Sequence, residues 1–143
     1  MDDRGGSCLI ISAALEEAAS NFQDTESQLE YLSCYDLEET GLSKVIRSCQ
    51  EMLNLQTYYT VGPKEARAWN VSKGATAPKA AGQIHSDFER YFIRAETISF
   101  DEFQLYGGEK GARENGAMRS EGKEYVCQDG DVFHFLVGNG RAK

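Results

Sequence analysis

Ser12-Ala13-Ala14 follows a short apolar run, Cys8-Leu9-Ile10-Ile11, that reads as a buried strand. The triplet therefore falls beyond a strand C-terminus, where ligands settle in open α/β sheets. Its small side chains let main-chain N–H groups approach a flat ring such as a purine, although the same triplet before a helix is also an ordinary cap. His85 and Asp87 pair an imidazole, which titrates near neutrality, with a carboxylate able to orient it. No nucleophile accompanies them, and a spacing of two at a helix end suits capping and packing better than general-base work. His134, between Phe133 and Phe135, is expected at a surface or edge position. Lys110-Gly111 and Gly122-Lys123 look like fragments of a phosphate loop, but Glu124 stands where a magnesium-holding hydroxyl is required. No Gly-x-x-x-x-Gly-Lys-Ser/Thr occurs anywhere, so the backbone nest that cradles a triphosphate is absent from these residues.

A second set of residues suits a polyanion. Lys73, Lys79, Arg90 and Arg94 can form a basic face, the alternative being plain solvated surface. Trp69, Tyr58, Tyr59, Tyr91 and Phe92 interleave with Arg67, Arg90 and Arg94, a combination that serves RNA stacking or the core of a small domain. The net charge of −8 does not exclude such a face, because it is unevenly placed. Residues 1–54 carry 3 basic and 11 acidic side chains, whereas residues 55–143 carry 12 of each. Cys8, Cys34, Cys49 and Cys127 form no Cys-x-x-Cys pair and have no histidine at ligand spacing, so we expect reduced, mostly buried thiols and no metal site.

The elements that must position these residues are legible in part. Residues 16–35 are polar and Ala-rich, compatible with one or two short helices, with Asp24 or Thr25 capping the second. Ser43 is expected to cap a helix over 44–53, whose Val45, Ile46, Cys49, Met52 and Leu53 share one face that should be core. From Gln56 the period changes to two, giving a strand over 57–61, a Gly-Pro turn and a returning strand over 66–71. Thr76 and Pro78 set up a helix through Ile84, and a short turn or helix over 88–91 follows a cap at Ser86-Asp87. Residues 92–98 alternate as a strand, and Ser99 or Asp101 opens a small helix through Tyr106. Residues 107–122 read as a surface excursion with a brief helix near 112–115. A second hairpin, 125–127 against 132–137, is expected to end the fold before a polar tail. This order predicts an α+β architecture in which a helix covers a sheet.

The stretches LQTYYTVGPKEARAWNV, GATAPKAAGQIHSDFERYFIRAETIS and EGKEYVCQDGDVFHFLV, between Leu55 and Val137, resemble the C-terminal TGS domain of the Obg-like (YchF-type) ATPases, a branch of the P-loop translation-factor GTPases. Upstream, ISAALEEAAS and LEETGLSKVIRSCQEMLNL resemble the end of that family's nucleotide domain. The resemblance implies a ubiquitin-like β-grasp over 55–138, a C-terminal remnant of an α/β P-loop nucleotide domain over 1–54, and a tail over 139–143. A first strand starting so near Met1 leads us to expect upstream elements. The resemblance also implies that Ser12, Ala13 and Ala14 correspond to the fifth guanine-nucleotide motif, whose backbone lines the base slot.

By the same resemblance, a complete family protein hydrolyses ATP in preference to GTP with Mg²⁺ and engages the ribosome. This chain, lacking the phosphate loop, is expected to hold no nucleotide or metal and to be inactive alone. Its expected partners are the ribosome or RNA, through the Lys73, Lys79, Arg90 and Arg94 surface. The alternative is a stand-alone TGS or ubiquitin-like module that binds protein or RNA without nucleotide. No run approaches the ~18 apolar residues of a membrane helix. The N-terminal MDDRGGSC resembles neither a secretory signal nor a transit peptide, which makes a reducing cytoplasm the expected compartment.

Overall fold

The computed structural model describes residues 8–138, which fall into two compact units that meet in sequence between Leu53 and Asn54. The first unit is helical. Helix α1 spans Ala13–Ser20, α2 spans Thr25–Ser33 and α3 spans Gly41–Met52. Asp24 caps α2 by accepting from the Ser27 N–H, one of the donors a helix start leaves unpaired. The cap of α3 is Thr40, whose hydroxyl accepts from the Ser43 N–H at 3.2 Å. The helix thus begins three residues before the Lys44 start expected from the sequence, and Ser43 lies inside its first turn. Asn54 then adopts φ 54°, the left-handed conformation that asparagine tolerates after a helix end, and turns the chain into the first strand.

Two further expectations for this unit are corrected. Cys8 to Ile11 form no strand; Leu9, Ile10 and Ile11 are exposed, Ile10 by 90%. A strand is stabilised by its ladder, and among the described residues none lies beside this run. The apolar face of α3 is also not a core: Ile46, Met52 and Leu53 are all more than half exposed, and Cys49 is exposed. Periodicity predicts which side chains share a face, while burial requires a neighbour to cover it. The thiols follow suit, since Cys8, Cys34 and Cys49 are exposed and Cys127 alone is buried.

The second unit is built on a five-stranded sheet of order β2-β1-β5-β3-β4. Strands β1 (Leu55–Val61) and β2 (Ala66–Ser72) form the expected hairpin, closed by the Gly62 N–H donating to the Glu65 carbonyl. Helix α4 (Ala77–Ile84) and the short α5 (Ser86–Arg90) lead into β3 (Phe92–Ser99). Then come α6 (Phe100–Leu105), α7 (Glu109–Glu114), β4 (Arg119–Glu121) and β5 (Asp131–Val137). Ser99 caps α6 in a full capping box with Glu102, which also holds the Glu102 carboxyl below its ordinary range. Thr76 is the residue before α4, as expected, but its hydroxyl makes no cap hydrogen bond.

The second hairpin expected at the C-terminus does not form. β5 lies between β1, which it pairs in parallel, and β3, which it pairs antiparallel. Residues 125–127 contribute one isolated bridge, Val126 to Thr76, while the excursion supplies β4 against β3. The 122–130 segment is instead a strap. The Ala77 N–H donates to the Tyr125 carbonyl, the Cys127 N–H to Ala75, and the Gln56 side chain to the Cys127 carbonyl at 2.7 Å. Gly130, at φ 82°, makes the left-handed turn that delivers β5, a conformation that glycine alone adopts cheaply.

The core lies between α4 and one face of this sheet. Ala77, Ala80 and Ala81 are fully buried, and their small side chains let the helix approach Tyr58, Phe92 and Phe133. Phe133 stacks on Phe135 at 5.0 Å and meets Tyr58 edge-on at 5.5 Å. The buried Tyr58 hydroxyl donates to the Ala80 carbonyl at 2.7 Å, so its one polar atom is satisfied. Burial raises the Tyr58 phenol above its ordinary range.

Candidate functional site

Ser12 is the N-cap residue of α1, and its carbonyl accepts from the Glu16 N–H, but its hydroxyl makes no cap hydrogen bond. Ser12, Ala13 and Ala14 are exposed, so the backbone donors of the first turn face outward, the arrangement a base-edge loop requires. Beside them is a cavity of about 150 Å³ lined by Ile11, Ser12, Glu16, Tyr35, Gly41 and Lys44, among others. It falls short of the ~300 Å³ at which small-molecule pockets begin. The Glu16 carboxylate accepts from the Gly41 N–H at 2.7 Å and so joins α1 to the start of α3. Sequence reasoning missed Glu16, Tyr35 and Gly41, because the contact joins residues 25 apart and carries no local signal. These residues can meet the edge of a flat ring. Nothing among them can grip phosphates, so they fit at most the base of a nucleotide and do not fit its magnesium.

The four expected basic residues are exposed but differ in circumstance. Lys73 follows the end of β2 and Lys79 lies on α4. Arg94, on β3, is 3.8 Å from Glu96, and Arg90 lies 5.3 Å over its neighbour Tyr91. The pairing of Arg94 was legible, because residues two apart on a strand share a face. Arg67 has its guanidinium 4.5 Å over the Trp69 ring, and Trp69 Nε1 donates to Thr60 Oγ1 at 2.9 Å. The aromatics divide: Tyr58 and Phe92 are core, Trp69 is half-buried against it, and Tyr59 packs on Phe100 at 5.4 Å.

His85 accepts from the Asp87 N–H through Nδ1 at 3.1 Å, capping α5, with the Asp87 carboxylate 3.7 Å away. Capping is the geometry that spacing favoured. His134 is exposed on β5, a central strand rather than an edge, opposite Glu96. Among the described residues, no three His, Cys, Asp or Glu side chains gather so as to hold a metal ion, and no helix is long and apolar enough to cross a membrane.

One polar cluster went unforeseen. The Asp131 carboxylate is 2% exposed, and its Oδ2 accepts from the Tyr125 hydroxyl and the Gln128 N–H, both at 2.9 Å. Arg119 stands 3.7 Å from its other oxygen. Burial raises the Asp131 carboxyl above its ordinary range despite those donors. Burial also pushes Tyr125 up to about 12 and the adjacent Cys127 thiol up to about 12, so both stay protonated at neutral pH. Every donor here is satisfied within the fold, so the cluster fastens the strap and β4 to β5. An inert thiol of this kind is no nucleophile.

A helical unit with an exposed small-residue loop, followed by an α+β unit with exposed cations and no enclosed catalytic constellation, defines a binding part rather than a self-contained enzyme. The sequence profile of the YchF-GTPase_C family, described as a protein of unknown function (DUF933), matches residues 55–138, and the chain belongs to that family. It is 53% identical over 131 residues to a protein of Escherichia coli O157:H7 named ribosome-binding ATPase YchF, covering 92% of this chain and 36% of that protein. The protein of the same name from Bacillus subtilis (strain 168) is 46% identical over 127 residues, 89% of this chain and 34% of its own length. The solved structure of the Schizosaccharomyces pombe YchF GTPase superposes with a TM-score of 0.74 at 35% identity, over 94% of this chain and 35% of that one. The chain thus spans about a third of the length of the relatives it matches.

Proposed function

We propose that this chain is the C-terminal regulatory and binding portion of an Obg-like ATPase, a part that helps the whole engage the ribosome. The observation that carries the reading is 53% identity to a ribosome-binding ATPase over 131 residues, which run through both units. In this reading the sheet unit is a ubiquitin-like β-grasp of TGS type. Its strand order, with the parallel β1–β5 pair at the centre and α4 across one face, supports that assignment. The helical unit is the end of a nucleotide domain, with Ser12, Ala13 and Ala14 as its base-edge loop. ATP or GTP with Mg²⁺ belongs to the complete family protein, held by residues other than these. The exposed Lys73, Lys79, Arg90 and Arg94 supply the candidate contact surface for ribosome or RNA, and the setting is the cytoplasm.

Competition tests the reading. Increasing amounts of this chain should displace the Escherichia coli relative from ribosomes in a sedimentation assay. Undiminished sedimentation of that relative at saturating chain would count against a shared binding site.

A further inference from the structure

The charges of the sheet unit are sorted by element. Residues 55–85, which build β1, β2 and α4, carry Lys64, Arg67, Lys73 and Lys79 against the single carboxylate of Glu65. Residues 86–138 carry 6 basic and 11 acidic side chains. There the cations are largely neutralised: Arg94 and Arg113 share Glu96, Arg113 also holds Glu109, Lys110 pairs with Glu114, and Arg119 with Glu121 and Asp131. Among the described residues, none of Lys64, Arg67, Lys73 and Lys79 takes part in an ion pair.

Their placement is as telling as their freedom. β2 is an edge strand, hydrogen-bonded to β1 alone, so its outer side is open. Lys64 lies in the turn before it, Arg67 is its second residue and Lys73 follows its last. Helix α4, which packs against β2, adds Lys79. The strand's 7 residues give this row a reach of about 20 Å. At its heart the Arg67 guanidinium lies over a tryptophan that the Thr60 hydrogen bond fixes in place. A guanidinium laid on an anchored ring, with no acid consuming its donors, keeps its fork of N–H groups for an outside oxyanion.

We infer that the open side of β2, from Lys64 to Lys73 with Arg67 at its centre and Lys79 beside it, is where this chain meets the phosphate backbone of RNA. The inference rests on the ribosome-engaging reading and moves its contact away from Arg90 and Arg94. The Trp69 N–H is committed to Thr60, and the available donors suit phosphate oxygens. Binding is therefore indifferent to base sequence and steeply weakened by salt.

The test is fluorescence anisotropy of the 143-residue chain with a labelled single-stranded RNA of mixed sequence across a salt series. Arg67→Gln with Lys73→Gln is expected to weaken binding at least about fivefold and to lower the log–log salt slope by about two, one for each lost phosphate contact. Arg67→Lys, which keeps the charge and loses the fork, is expected to cost about two- to threefold with the slope unchanged. Arg94→Gln with Lys110→Gln, on the neutralised side, should change affinity less than about twofold. All these positions are exposed, and matching thermal unfolding shows that each variant folds. Absence of salt-dependent RNA binding overturns the proposal and leaves the edge cations as a guard against strand addition between copies. Equal losses from the two double variants overturn it as well. If the chain sediments with ribosomes and Arg67→Gln with Lys73→Gln leaves that unchanged, the edge is not the contact and the ribosome reading survives. If the edge binds RNA yet the chain never sediments with ribosomes, the edge stands and the ribosome reading falls.

Discussion

Residues 8–53 and 54–138 use apolar side chains in opposite ways. In the sheet unit, Tyr58, Phe92, Ile98, Val132 and Phe133 are at most 6% exposed, and α4 presents three alanines to them. In the helical unit only Ala19 and Leu32 are buried apolar residues, while Ile10, Leu42, Ile46, Met52 and Leu53 are exposed by half or more. Stability follows apolar area removed from water, so cooperative folding resides in the sheet unit, and the helices hold mainly through caps such as Asp24 and Thr40. A part that docks needs one rigid body to present its contacts, and the sheet unit is that body.

The largest effect that can break this contrast is at Phe133, which touches Tyr58, Tyr125 and Phe135. Phe133→Ala should cost about 3–5 kcal/mol in chemical denaturation. A loss under about 1 kcal/mol would mean that the sheet unit lacks the close-packed core described above.

Thiol chemistry sharpens the same comparison. Cys8, Cys34 and Cys49 should react with a maleimide in the native state, and Cys127, buried and held protonated, only on unfolding, at least about tenfold slower. Equal rates for all four would show that the strap carrying Cys127 opens freely.

The smallest effect concerns pH. A raised Asp131 carboxyl means that the folded state holds that proton more firmly than the unfolded chain does. Its contribution is therefore complete in acid, below the unfolded value, and is lost as pH rises through the folded one. Arg119, Tyr125 and Cys127 are the titratable groups beside it. The stability advantage of the native chain over Asp131→Asn should be greatest in acid and shrink toward neutrality. An advantage that grows with pH would show the carboxylate to be the favoured form.

What could be read beforehand divides along the same line. The β1–β2 hairpin, α4, β3 and α6 are set by alternation, a Gly-Pro turn, Pro78 and the Ser99 cap, all signals contained within a few residues. The insertion of β5 between β1 and β3 joins segments some seventy residues apart, and no local pattern records it. β4, with Arg119, Ser120 and Glu121, has no apolar alternation and exists because β3 offers it a ladder. The run Cys8 to Ile11 fails in the reverse sense, having strand composition and no partner. Among the contact residues, Lys73 and Lys79 could be named from the sequence as exposed cations. That Arg94 is spent on Glu96, and that Arg67 rests on Trp69, follows from strand period and needed only to be applied at both places.

The most direct measurement of the central claim, that these residues form a docking part with its own hold on the ribosome, is sedimentation of the chain with ribosomes over a salt series without added nucleotide. The expected result is co-sedimentation at low salt that falls steadily as salt rises and is indifferent to ATP. A chain that stays in the supernatant at every salt concentration, or sediments only when ATP is supplied, would contradict it.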